Sequence, residues 1–141
     1  MQDTKVRLSM NKSDIKNSSD MFLYKAQIDL NSAKYLLKAF NEDKIDIDVE
    51  KIYFELQQSA EKILKSVLSK HKISFPKTHD IEQLIELCNM QNIELDLNID
   101  ELIELNEYAV EGRYSIIHDD INESGKYIEI IENLVKEAKD D

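Results

Sequence analysis

Apolar residues return every three or four positions along most of this chain, with polar residues between them. That period predicts α-helix rather than strand, where the two faces alternate at every residue. The first such stretch is 20–41, where Tyr24, Ile28, Leu36, Leu37 and Phe40 recur at helical spacing and Asp20 is a candidate N-cap. A second runs over 48–71, with Val49, Ile52, Tyr53, Leu56, Ala60, Ile63, Leu64, Val67 and Leu68 forming an apolar stripe. Its other side carries Gln57, Glu61 and Lys65 at four-residue steps. Such a face is either solvated or a polar seam against another subunit, and Glu61 four before Lys65 is the favourable ion-pair order.

The remaining elements follow from where the pattern breaks. KISFPKTHD holds the sole proline, Pro76, which ends a helix. Thr78 or Asp80 then caps a third helix reaching about Met90, with Ile81, Leu84, Ile85 and Cys88 inward and capping-box spacing between Asp80 and Gln83. QNIELDLN connects to a fourth helix through Leu102, Leu105 and Ala109, opened by the same spacing between Asn98 and Glu101. EGRYSIIHDDINESG interrupts it, and a fifth helix over 123–138 aligns Tyr127, Ile128, Ile131, Leu134 and Val135. Residues 1–19 are polar and aperiodic, a loosely ordered leader before one folded unit over 20–141. The expected fold is all-α: a four-to-five-helix up-and-down bundle.

Composition agrees and narrows the partners. The 141 residues include two Gly and one Pro, too few turn-formers for a sandwich of short strands, and 42% are hydrophobic, enough for a core. The net charge of -11 argues against a broad basic surface for duplex DNA. No apolar run approaches the length of a membrane span, so the expected setting is the cytoplasm, without membrane attachment. Cys88 is the only cysteine, which excludes an intrachain disulfide; it falls in an apolar pattern, as a small core residue would. No Gly-rich phosphate loop, paired-Cys motif or Ser-His-Asp set is present, and His71 and His79 lack a standard metal-ligand spacing.

The candidate chemistry lies in EGRYSIIHDD, residues 111–120. Arg113 offers a planar fork of donors to a phosphate, and His118 titrates near neutrality and can exchange a proton with an RNA 2′-hydroxyl or a leaving oxygen. The 2′-hydroxyl supplies the nucleophile, so this chemistry calls for no metal and no cofactor. On one straight helix, five residues turn about 500°, leaving the two side chains roughly 140° apart. They can meet only if the helix ends near Gly112 and the chain folds back, or if two chains each donate a pair to one cleft. Asp119 and Asp120 follow and would repel a phosphate. In the plainer reading Arg113 pairs with a Glu and His118 is a surface residue. Tyr53, Tyr108, Tyr114 and Tyr127 either stack bases or pack at the core or an interface.

Four stretches together resemble the HEPN family: DLNSAKYLL (29–37), QQSAEKILKSVL (57–68), FPKTHDIEQLIE (75–86) and LNEYAVEGRYSIIH (105–118). They fall in the family's order and cover about residues 20–138. The resemblance implies a helical bundle that is usually a homodimer. Many HEPN proteins are RNA-cleaving toxins with an Arg, four to six intervening residues and a His, brought together at the dimer cleft; Arg113 and His118 fit with four between. Such toxins commonly stand beside a small nucleotidyltransferase that restrains them as antitoxin. Other members are presumed to bind nucleotides or proteins without cutting. Here Tyr114 follows the Arg, where nucleases typically have a polar residue such as Asn, and Asp120 stands where Tyr often does. The Arg-Tyr form is similar to a branch that often carries Pro next, replaced here by Ser115. That branch need not carry the His, and a nucleotide or substrate contact is expected at Arg113, Tyr114 and Ser115. The expected functions are therefore a metal-independent endoribonuclease of a toxin–antitoxin pair, with Arg113 and His118 catalytic, or a non-catalytic, nucleotide- or protein-binding partner of a nucleotidyltransferase.

Overall fold

The computed structural model describes residues 10–109 and 121–140. Among these, every regular element is helical. A short 3-10 turn at Lys12–Asp14 precedes α1 (Ser18–Asn41), α2 (Val49–Lys70), α3 (Ile81–Met90), a ten-residue 3-10 helix (Ile99–Tyr108) and α4 (Ser124–Asp140). The fold is an all-α bundle.

The first helix starts earlier than Asp20. Asn17 is the cap: its side chain accepts from the Asp20 N–H at 2.9 Å, and the Asp20 carboxylate reaches back to the Lys16 N–H at 2.9 Å. The apolar stripe of α1 is also displaced from the large residues. Leu23, Ala26, Leu30 and Ala33 are buried, whereas Ile28 is exposed. Two alanines on that face let α1 and α2 approach closely. The antiparallel pairing is fixed by Ser59 Oγ donating to the Ala26 carbonyl at 2.7 Å, and by reciprocal bonds between Ser19 and Ser66.

Three helices end without glycine. Asp43, Lys72 and Asn92 follow α1, α2 and α3 with φ of 55, 58 and 57°. In each case the next N–H closes back across the last turn: Lys44 to Ala39, Ile73 to Leu68 and Ile93 to Cys88, at 2.9, 2.9 and 3.0 Å. These left-handed caps absorb orphan carbonyls, a role usually taken by Gly, at some strain for side chains bearing a Cβ.

The segment between α2 and α3 corrects the reading of the polar face on α2. After Lys72 the chain turns and runs back antiparallel along α2, laying residues 73–80 over Gln57, Glu61 and Lys65. That face is neither solvated nor an intersubunit seam. Gln57 is 0% and Glu61 4% exposed. Gln57 Nε2 donates to the His79 carbonyl at 3.1 Å, His79 Nδ1 meets Glu61 Oε1 at 2.9 Å, and Lys65 Nζ meets Glu61 Oε2 at 3.0 Å. Phe75 sits edge-on to Phe22 at 6.0 Å, with the Lys65 ammonium 5.9 Å from its ring centre. The left-handed cap at Lys72, not Pro76, ends α2, and the strap is held by the Glu61 network.

The expected fourth helix is a 3-10 helix. Its buried residues are Ile99, Leu102, Leu105 and Tyr108, at a strict period of three. Three residues per turn place all four on one face, whereas an α-helix would fan them across about half its circumference. The expected box at Asn98 does not form: the Asn98 side chain caps nothing, and its N–H goes to the Asp96 carboxylate at 2.8 Å. Among the described residues no helix is long and apolar enough to cross a membrane.

Candidate functional site

The 3-10 helix delivers the chain to one end of the bundle, and α3 helps to hold it there. Asp80 is the N-cap of α3, accepting from the Glu82 and Gln83 N–H groups at 3.0 and 3.4 Å. The Asp80 N–H is satisfied by Thr78 Oγ1 at 3.0 Å, so Thr78 and Asp80 both serve the same turn. Asn106 closes the arrangement from outside. Its carbonyl oxygen accepts from the Ile81 N–H at 2.9 Å and its amide donates to Asp80 Oδ1 at 2.9 Å. The spacing of Asp80 and Gln83 indicated the cap, but nothing in the local sequence indicated a third partner from another helix.

Beside that turn three tyrosines converge. Tyr53 of α2 stacks on Tyr108 with ring centres 5.0 Å apart and meets Tyr127 of α4 edge-on at 6.0 Å. All three are buried, as expected of core or interface tyrosines. An open cleft of ≈ 480 Å³ lies against them, rimmed by Glu104, Glu107 and Glu123. Burial raises the Tyr108 phenol above its ordinary value, with the Glu107 carboxylate adding to the shift. Burial also raises that of Tyr127, which donates to Glu104 Oε2 at 3.1 Å. Both phenols therefore stay protonated near neutral pH. Lys126 offsets part of the rim charge, lying 2.6 Å from Glu123 and 3.2 Å from Glu104; the hydrogen bond to Glu123 is the main reason its own pKa is raised. The three rings are packed mainly on one another, and the rim of the cleft is acidic.

This cleft adjoins Ala109, where the description of the chain stops before resuming at Ile121. Arg113, Tyr114, Ser115 and His118 lie outside the described residues, so the structure neither brings them together nor separates them. The other candidates are placed. Cys88 is fully buried, and burial pushes its thiol up to about 11, consistent with a packing role. His71 Nδ1 lies 3.0 Å from the Val67 carbonyl, and His79 serves the strap. Among the described residues no three His, Cys, Asp or Glu are grouped to hold a metal ion.

The model of the HEPN domain matches residues 19–141, and the chain belongs to that family. No curated protein and no solved structure matches it. The match includes the Arg113 and His118 segment together with both elements that flank it. Domains of this family commonly dimerise, and the family suggests an RNA-cleaving or nucleotide-binding role.

Proposed function

We propose that this protein is a metal-independent HEPN endoribonuclease, the toxin of a pair whose antitoxin is a small nucleotidyltransferase. It works as a homodimer in the cytoplasm. The observation that carries the reading is the Arg113 and His118 pair, four residues between them, inside a segment matched to the family. Its setting supports it: the helix that leads into this segment is pinned to the α3 cap by Asn106.

In the proposed reaction His118 takes the proton from the RNA 2′-hydroxyl as that oxygen attacks phosphorus. Arg113 binds the phosphate and offsets the charge that builds on its oxygens. The bond to the 5′-oxygen breaks, and that oxygen leaves with a proton from the protonated second His118 of the dimer. Tyr114 and Ser115 contact the substrate beside Arg113.

The test is purified protein with single-stranded RNA in EDTA. Wild type should cleave; His118→Ala and Arg113→Ala should each lose at least about a hundredfold in rate, the usual scale of a general acid–base group. Equal, background-level cleavage by wild type and His118→Ala would end the proposal. Tyr114 after the Arg and the acidic pair after His118 favour a second reading, a non-catalytic nucleotide-binding partner of the nucleotidyltransferase. That reading is supported instead if the protein cuts no RNA but gains thermal stability from a nucleotide in an Arg113-dependent way.

A further inference from the structure

About 25 Å along α2 from Tyr53, the other end of the bundle holds a second cleft, of ≈ 840 Å³. The start of α1, the end of α2, the loop after α3 and the end of α4 meet around it. Its apolar lining is Leu23, Val67, Ile93, Leu95, Leu134 and Ala138, which belong to the core or pack against it. Its charges cancel, with Asp20, Glu94 and Glu137 set against Lys70, Lys72 and Lys139. Neither a polyanion nor a polycation is therefore favoured, and an occupant of mixed charge with one apolar side fits best.

The chain itself enters this cleft. Met10, where the described residues begin, is part of the lining and packs against the core. The Gln27 amide donates to its sulfur at 3.9 Å and to the Leu23 carbonyl at 3.3 Å, so Met10 rests on a buried, anchored partner. After Met10 the chain turns away, with the Asn11 N–H donating to the Asp14 carboxylate at 2.9 Å. The nine residues before it, MQDTKVRLS, therefore start from the wall of the cleft. Val6, Leu8 and Met10 stand at alternate positions, and Lys5 and Arg7 take the others. In an extended segment alternate side chains share a side, so the inward Met10 sets the side for Val6 and Leu8 and leaves Lys5 and Arg7 to the rim. Four extended residues span about 13 Å, more than the roughly 8–10 Å between the axes of packed helices. So short a tether holds the segment at an effective concentration on the order of millimolar, where a few apolar contacts suffice.

We propose that residues 5–8 dock in this cleft in cis as an extended latch, with Val6 and Leu8 on its apolar lining. The occupant is set by where the chain enters, by the phase that Met10 imposes, and by mixed charge on both sides, the segment carrying Asp3, Lys5 and Arg7. The latch ties α1, α2 and α4 together at the end of the bundle away from the tyrosines. It holds whether or not the protein cuts RNA.

Two measurements on the full chain test it. Trypsin cuts after Arg7, and a docked segment is cut only when it opens. Wild type should therefore be cut there at least about tenfold more slowly than Val6→Ser with Leu8→Ser, each rate being divided by that of the matching free peptide. Location is read by disulfide trapping with diamide. Leu8→Cys keeps a small apolar side chain, and paired with Ala138→Cys it should give a disulfide within one chain. Lys25→Cys in place of Ala138→Cys is the control, exposed and turned about 200° from Gln27 on α1. Cys88 is fully buried and its thiol is pushed up to about 11, so it does not compete. Three results overturn the proposal: equal cutting of wild type and the double variant, no more trapping at Ala138 than at Lys25, or a disulfide between two chains. The last would give the cleft to the same segment of a second copy.

Discussion

Glu61 shows what a single residue decides here. It is 4% exposed and joins α2 to the strap through Lys65, His79 and Gln57. Removing one partner of a buried charged network leaves the others desolvated and unpaired, so Glu61→Ala should cost about 3 kcal/mol in urea unfolding. Glu61→Gln keeps hydrogen-bonding atoms and should cost less. A Glu61→Ala protein within about 0.5 kcal/mol of wild type, the range of an ordinary surface change, would mean that the network does not hold the strap. The sequence offered Glu61 and Lys65 as an i,i+4 pair and the pair forms, but its burial was hidden. Helical periodicity reports which residues share a face; it does not report which loop returns to cover that face. The place of His79 in this network was not legible, because its partner lies eighteen positions upstream.

The elements were legible in proportion to how regular their apolar spacing is. α2, with apolar residues at nearly every third or fourth position, is where the pattern placed it. The inward stripe of α1 was found in part: Leu36, Leu37 and Phe40 do pack against the core, but Ile28 is exposed, and Ala26 and Ala33, which weigh little in a search for large residues, are what let α2 approach. The run Ile99, Leu102, Leu105, Tyr108 announced a period of three, which a search for any helical spacing absorbs as α-helix. That spacing favours the 3-10 form because only then do all four residues face the core. At the junction of this helix with α3, Asp80 caps from within and Asn106 from outside. Asp80→Ala should lower stability by about 1 kcal/mol, the common value for an N-cap, as read by denaturation. An unchanged midpoint would show that Asn106 alone satisfies the turn.

Over the whole molecule, the chain combines a strongly acidic exterior with a strap over the polar face of α2 and a tyrosine-floored cleft at the end of the 3-10 helix. The family and the all-helical fold were readable from four short motifs in the right order. The candidate site was readable only as a spacing, Arg113 and His118, because five residues along one helix leave the two side chains pointing apart. What the described residues contribute is the setting: a helix end pinned by Asn106 beside three packed tyrosines. The account stands on the RNA 2′-hydroxyl being the nucleophile, and mass spectrometry of the cleavage products in EDTA tests this most directly. The account predicts 5′ fragments ending in a 2′,3′-cyclic phosphate, 3′ fragments beginning with a 5′-hydroxyl, and no cutting at a site given a 2′-deoxy sugar. Fragments with 3′-hydroxyl and 5′-phosphate ends, or cutting that persists at the deoxy site, would contradict it.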